Sequence, residues 1–284
     1  IEQLSFRSSN TLNLDRDIFS SVLRSSRRGK SAGIFGNRNE YLRLCLNDSN
    51  AFDLLFHAAQ LFARAEIPEE IVPLFGISKL TALLKPNGKV RGIASGDPFR
   101  RLVAKVIARQ FQAEIRDLCA PENFGLCNRG GTDSLVHLIN FLLEEDEERI
   151  VLSIDGIGAF DHVSRFAFFE ELLNNELLQS LLPFIRMWYS SEINFAWTDV
   201  SGVTHRISQG DGGEQGDPLM PQLFCLALKS ALRQIQSQLS EESFIFAYLD
   251  DIYIICKASD AFDSFTCAKN SLKRHCNIDI NMGK

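Results

Sequence analysis

The sequence has no C-x-x-C pair, no internal repeat, no low-complexity linker and no uncharged apolar run of the ~20 residues that cross a bilayer. Each absence closes off a class. Seven cysteines are scattered at positions 45, 119, 127, 225, 256, 267 and 276, which suits neither a zinc site nor a disulfide scaffold. They read as small, partly buried apolar residues in a reducing, intracellular setting, with nucleus and cytoplasm both open. No secretory leader opens the chain and no membrane partner is expected. Basic charge is also short: a formal net charge of -6 and a pI near 5.5 argue mildly against a nucleic-acid partner when taken alone. The first residue is Ile1, not Met, which suggests a piece of a longer protein.

What is present suits a folded chain. Of 284 residues, 45% are hydrophobic and 23% charged, enough for a sizeable core in one large domain or two modest ones. Residues 15–26, 40–48 and 50–65 carry apolar side chains near helical spacing. Residues 77–84 and 90–94 read as a hairpin about Pro86-Asn87-Gly88. Asp97-Pro98 predicts a capped helix running to about Leu118. Helices are also predicted over 133–145, from Ser164 to about Leu182, from Pro218 to about Leu239, and over 260–275. Strands are predicted over 149–154, 192–198, 203–207, 244–248 and 252–256. Helices and strands interleave, which leaves α/β and α+β open.

The residues that suggest chemistry are acids. Tyr248-Leu249-Asp250-Asp251 sits between two apolar strands. Adjacent carboxylates at a tight turn repel each other, and a divalent cation relieves that repulsion. Asp155 closes another apolar strand and precedes Gly156-Ile157-Gly158-Ala159-Phe160-Asp161, where small residues leave backbone room for a ligand. Taken singly, either motif also suits an ordinary polar turn. If residues 150–155 lie beside the 244–256 hairpin, three carboxylates converge, as a site for two metals requires. A further element, Gln215-Gly216-Asp217-Pro218-Leu219-Met220-Pro221-Gln222-Leu223-Phe224, is a glycine-bearing turn feeding a helix.

Taken in order, these motifs resemble the reverse transcriptase domain, most like that of non-LTR retrotransposons. The resemblance rests on Asp155 with Phe160, on 215–224, on Tyr248 to Asp251, and on Asn281-Met282-Gly283-Lys284. Upstream, Leu84-Lys85-Pro86 with Lys89-Val90-Arg91-Gly92-Ile93 resembles the fingers motif, and Phe124-Gly125, Gly130-Gly131 and His137 resemble the family's glycine-rich segment. It implies an α+β right-hand polymerase: a helical extension over 1–75, fingers over 76–148 and palm over 149–284, interleaved, with an antiparallel palm sheet on helices and no thumb. It implies that Asp155, Asp250 and Asp251 hold two Mg²⁺ ions, with Mn²⁺ as a substitute. Phe160 would exclude a ribose 2′-hydroxyl, and Lys284 would protonate pyrophosphate. Lys89 and Arg91 would reach the triphosphate, as their chemistry suits. Gln215 and Gly216 would lie near template and nucleotide, with Tyr248, Pro218 and Pro221 near template and primer. The partners implied are an RNA template, a DNA or RNA primer and deoxynucleoside triphosphates; the oligomeric state is not implied.

Two departures stand out: Gly92 replaces a usual Pro, and Met220 replaces a usual Ser or Gly, where it is expected to crowd the template-side turn. Two other readings compete, an RNA-dependent RNA polymerase and an impaired remnant that only binds RNA. Phe160 and Tyr248-Leu249 before the acids favour deoxynucleotides over the former. The acidic average also hides a gradient. Residues 79–116 hold nine basic side chains against Asp97 and Glu114, a segment suited to phosphates.

Overall fold

The computed structural model describes residues 10–84, 86, 88, 90–126 and 130–282. In chain order it opens with α1 (Arg16–Ser25), α2 (Asn39–Leu44), α3 (Ser49–Ala63) and α4 (Val72–Gly76). Strands β1 (Ile77–Leu84) and β2 (Val90–Ser95) follow, then α5 (Pro98–Gln110), α6 (Gln112–Cys119) and α7 (Gly131–Glu145). Next come β3 (Arg149–Asp155), α8 (Ala159–His162), α9 (Arg165–Leu173) and α10 (Leu182–Tyr189). Strands β4 (Ile193–Thr198) and β5 (Thr204–Gln209) lead to α11 (Met220–Gln238), and β6 (Phe244–Tyr248), β7 (Asp251–Lys257) and α12 (Ala261–Cys276) complete the elements.

Short polar side chains set several helix starts. Asp15, Asp48 and Asp97 each accept a backbone N–H of the first turn, at 2.7, 2.7 and 2.8 Å. Three predicted helices differ from what forms. The one from Asp97 breaks at Phe111, where no Pro or Gly marks the site. The one from Ser164 stops at Leu173. There the Asn175 side chain accepts the Leu177 N–H at 3.0 Å and its carbonyl accepts from Leu178 and Gln179, so local amide bonding wins over helix. The third starts at Met220, two residues late, because the Asp217 carboxylate takes the Leu219 N–H at 2.9 Å.

The chain forms two compact units, Ile1–Phe111 with Leu172–Met220, and Gln112–Glu171 with Pro221–Lys284. The first is built round Phe62, whose ring meets those of Phe75, Phe99, Phe184 and Trp188 at centroid separations of 5.0, 5.1, 6.2 and 5.4 Å. Its four-stranded sheet runs β2-β1-β4-β5, with β1 and β4 parallel and the other pairs antiparallel. The parallel pairing was not foreseen in the sequence. One sheet face is buried through Ser78, Ala94, Ile193 and Phe195.

The second unit holds an antiparallel sheet ordered β3-β7-β6. One face buries Ile154, Ile245, Ala247, Ile252, Ile254 and Cys256. Part of the other packs Phe246 and Ile255 against Leu135 and Leu142 of α7. One face being covered and the other covered in part explains why the central strands read as near-continuous apolar runs. Antiparallel sheet and helices together are the α+β arrangement expected. Six cysteines are free, and among the described residues no helix is long and apolar enough to cross a membrane; Cys127 lies outside the described residues.

Candidate active site

The condition set by the sequence, that the strand ending at Asp155 lie beside the 244–256 hairpin, is met. β3 pairs with β7 along its length, and the last register pair is Asp155 with Asp251. β7 pairs with β6 so that Tyr248 faces Asp251, which leaves Leu249 and Asp250 as a two-residue turn. Side chains directly opposite on antiparallel strands share a face with Cβ atoms ~5 Å apart. Asp155 and Asp251 therefore face each other at one end of the sheet, with Asp250 next in the chain. Asp251 is exposed, and Asp155 and Asp250 are half-buried. Burial, together with the negative charge of Asp251, raises the Tyr253 pKa.

Like charges placed directly opposite are destabilising without a cation, and oxygen-only donors are what Mg²⁺ takes. The donor set thus fits a hard divalent ion. The side chains do not close on one as they stand: among the described residues no group of three His, Cys, Asp or Glu side chains is placed to hold a metal.

The turn carrying Asp250 is held from outside. Leu249 has φ 55°, an uncommon value for a bulky side chain. It is seated on Gly125, where an added Cβ would lie 2.8 Å from Leu249 Cγ, Cδ2 and N. Gly125 is brought there by backbone pairing: the Ala247 N–H donates to Glu122 O at 2.7 Å, and the Phe124 N–H donates to Ala247 O at 2.8 Å. Asn123 Oδ1 accepts the Gly125 N–H at 2.9 Å. The glycine-rich segment seen in the sequence is thus the seat of the Asp250 turn. Phe160, in α8, stacks on Phe224 at 4.2 Å with ring planes 12° apart and remains half-buried. Tyr248 packs beside the cluster under α7.

The glycine-bearing turn of the first unit is secured by charge. The Ala94 N–H donates to Gln215 O at 2.9 Å. Gly216 has φ 137°, and a Cβ there would land on the Ala94 carbonyl oxygen. On either side, Glu214 and Asp217 turn inward. Arg100 Nη1 donates to Glu214 Oε1 at 2.8 Å, Ser78 Oγ donates to Glu214 Oε2 at 2.8 Å, and Tyr189 Oη donates to Asp217 Oδ2 at 2.6 Å. The Arg100 guanidinium lies 4.5 Å over Trp188 and 3.7 Å from Asp217. Arg100, Glu214 and Asp217 are 3%, 2% and 8% exposed. Burial works against the Arg100 charge, yet Glu214 and Asp217 raise its pKa. Burial and the same two acids push the Tyr189 pKa well up.

Pro218 and Pro221 flank Met220 at the start of α11 and are half-buried. Met220 does not crowd the outside of this turn. It is 1% exposed, and its Sδ occupies the space where a Gly213 Cβ would be. The missing side chain of Gly213 makes room for the larger residue within the same unit. Arg91 is exposed on the open face of the β2-β1-β4-β5 sheet, opposite Leu83. Lys89 and Lys284 lie outside the described residues. Sequence reasoning missed Arg100, Glu214 and Tyr189, which carry no local pattern. It also missed Asn281, whose Nδ2 donates to Asp155 Oδ2 at 3.0 Å; its place in the Asn281-Met282-Gly283-Lys284 motif was the available signal.

A family model described as reverse transcriptase (RNA-dependent DNA polymerase) matches residues 83–284. The "Retrotransposable element SLACS 132 kDa protein" of Trypanosoma brucei gambiense is 22% identical over 240 residues, covering 84% of this chain and 20% of that protein. The chain thus spans about a fifth of that relative. Among solved structures, apo telomerase from Candida tropicalis superposes with a TM-score of 0.54 at 12% identity, over 74% of this chain and 43% of that one. The same telomerase truncated from its C-terminal domain gives 0.51 at 13%, over 74% and 49%. At these identities the structural likeness concerns the fold.

Proposed function

We propose, because this chain belongs to the reverse transcriptase (RNA-dependent DNA polymerase) family, that it is the fingers-and-palm part of a retroelement polymerase that extends a DNA or RNA primer with deoxynucleotides on an RNA template. The observation that carries the reading is the register pair of Asp155 with Asp251 beside the Asp250 turn. In it, Asp155, Asp250 and Asp251 hold two Mg²⁺ ions, or Mn²⁺ in their place. When bound, the ions lower the pKa of the attacking hydroxyl and offset charge on the transferring phosphate and leaving pyrophosphate.

The chain's own part is placement. The sheet register sets two carboxylates face to face, and the Leu249 turn seated on Gly125 fixes where the third stands. The Phe160–Phe224 stack supports a sugar-selecting role for Phe160, since a ring held flat can reject an added hydroxyl by contact. Arg91, being exposed and bidentate by nature, suits triphosphate oxygens; Lys89 is assigned with it, and Lys284 to the pyrophosphate, from the sequence motif alone. Gln215 and Gly216 are assigned to nucleotide and template contact from the sequence motif alone, in a turn joined to β2 by the Ala94 N–H on Gln215 O. Tyr248, Pro218 and Pro221 are assigned to template and primer. An intracellular setting goes with a need for nucleoside triphosphates and with the free cysteines.

The test is primer extension by the full-length protein on an RNA template with Mg²⁺. Deoxynucleotide incorporation that disappears in Asp250→Ala supports the reading. Ribonucleotide preference would turn it towards an RNA polymerase. RNA binding with no incorporation would turn it towards a remnant.

A further inference from the structure

We infer that Asn281 is a positioning residue for Asp155, restricting the freedom of that carboxylate in the free protein so that less of it is lost when a divalent cation binds; the inference rests on the polymerase reading above. Asp155 is the last residue of β3, and its register partner is another acid. Repulsion between the two leaves no mutual contact to fix the Asp155 carboxylate. The segment following α12 supplies one. Asn281 meets Asp155 twice: its backbone N–H donates to Asp155 O at 2.8 Å, and its Nδ2 donates to Asp155 Oδ2 at 3.0 Å.

The segment is itself well placed to act as a clamp. Ile280 bridges to Gly156 and the Ile157 N–H donates to Asp279 O at 2.8 Å. Gly156 permits the approach, since a Cβ there would lie 2.9 Å from Ile278 Cγ2. Asn277, at φ 57°, turns the chain out of α12 into this position. The chemistry of the donor matters as much as its place. An amide fixes a carboxylate by hydrogen bonding without adding positive charge. An Arg or Lys at position 281 would neutralise the ligand that the cation needs.

The experiment measures Mn²⁺ binding to the nucleic-acid-free, full-length protein by electron paramagnetic resonance, alongside the Mg²⁺ dependence of primer extension. Asn281→Ala is expected to weaken Mn²⁺ binding by ~10-fold or more, as loss of a hydrogen-bond partner behind a metal ligand does. The Mg²⁺ concentration giving half-maximal extension should rise in parallel, while the rate at saturating Mg²⁺ returns to within about threefold of the parent. Asn281→Ser, polar but too short to reach Oδ2, should behave as Asn281→Ala. Unchanged Mn²⁺ binding in either folded variant would overturn the inference, as would loss of the fold in both, which would make the clamp merely structural. Asp155→Ala separates the two layers of argument. If it retains Mn²⁺ binding, the polymerase reading of this site fails. If it loses binding while Asn281→Ala does not, only the role of Asn281 fails.

Discussion

Glu214 and Asp217 in the first unit are almost closed to solvent and accept from Arg100, Ser78, Tyr189 and a backbone N–H. Asp155, Asp250 and Asp251 in the second unit stand half-buried or exposed at a sheet end, two of them facing each other. The same functional group thus does two jobs. Where carboxylates are buried with matched donors they fasten a turn, and their removal strands a buried charge. Where they are left near solvent with like charges opposite, they cost stability in the free protein and are suited to a cation. Turn geometry follows the same division. The Gly216 turn is pinned to α5 by ionic groups and to β2 by a backbone hydrogen bond, and the Leu249 turn by a backbone ladder and a glycine seat.

The largest effect expected from this contrast is on catalysis. Asp250→Ala should lower primer extension by about a thousandfold or more, equivalent to ~4 kcal/mol of transition-state stabilisation. It should leave the urea unfolding curve unchanged or slightly more stable, since repulsion is removed; a clearly destabilised variant would break the comparison. Glu214→Ala should do the reverse, with destabilisation of ~3–5 kcal/mol from the stranded Arg100, read from urea unfolding. A neutral outcome there would mean that the network does not secure the turn.

A smaller effect is expected at the glycine seat. Gly125→Ala should cost ~1–3 kcal/mol by overpacking against Leu249, measured by the same unfolding curves, with activity falling because the Asp250 turn moves. The smallest effect is one of pH, in the β4–β5 hairpin. Hydrogen bonds from His205 and Ser201 lower the Asp199 pKa to about 2, below the ordinary range of a carboxylate. A carboxylate depressed in the folded state adds stability that is full above its unfolded pKa and lost as pH falls through the folded one. Asp199→Asn should therefore be less stable than the parent from neutrality down to about pH 4, with the difference closing between about pH 4 and pH 2, as read from unfolding curves across that range.

Much of this was legible locally. Asp97-Pro98 announces a capped helix, the apolar runs ending at Asp155 and flanking Asp250 announce strands, and residues 77–84 and 90–94 announce the antiparallel pair β1–β2; Asn87, between them, lies outside the described residues. Phe111 was not legible as a break because nothing in its backbone chemistry forbids helix. The Asn175 stop was legible in principle, since an amide side chain competes with helix for backbone N–H groups. Met220 misled because a residue larger than expected was read without its partner: Gly213 leaves the matching space.

By itself, the sequence determined which residue types stand at the ends of strands and in turns, because caps, turns and apolar periodicity act over a few residues. It also determined the family, through motifs kept in order. The tertiary structure alone decided that β3 lies beside β7, so that Asp155 meets Asp251, and that Asn281 reaches back to hold it. It alone drew Arg100, Glu214, Asp217 and Tyr189 into one buried cluster. Those pairings join residues far apart in the chain. Their register is set by which sheet faces must be buried and which charges must be matched once buried, and neither demand is expressed in any local stretch.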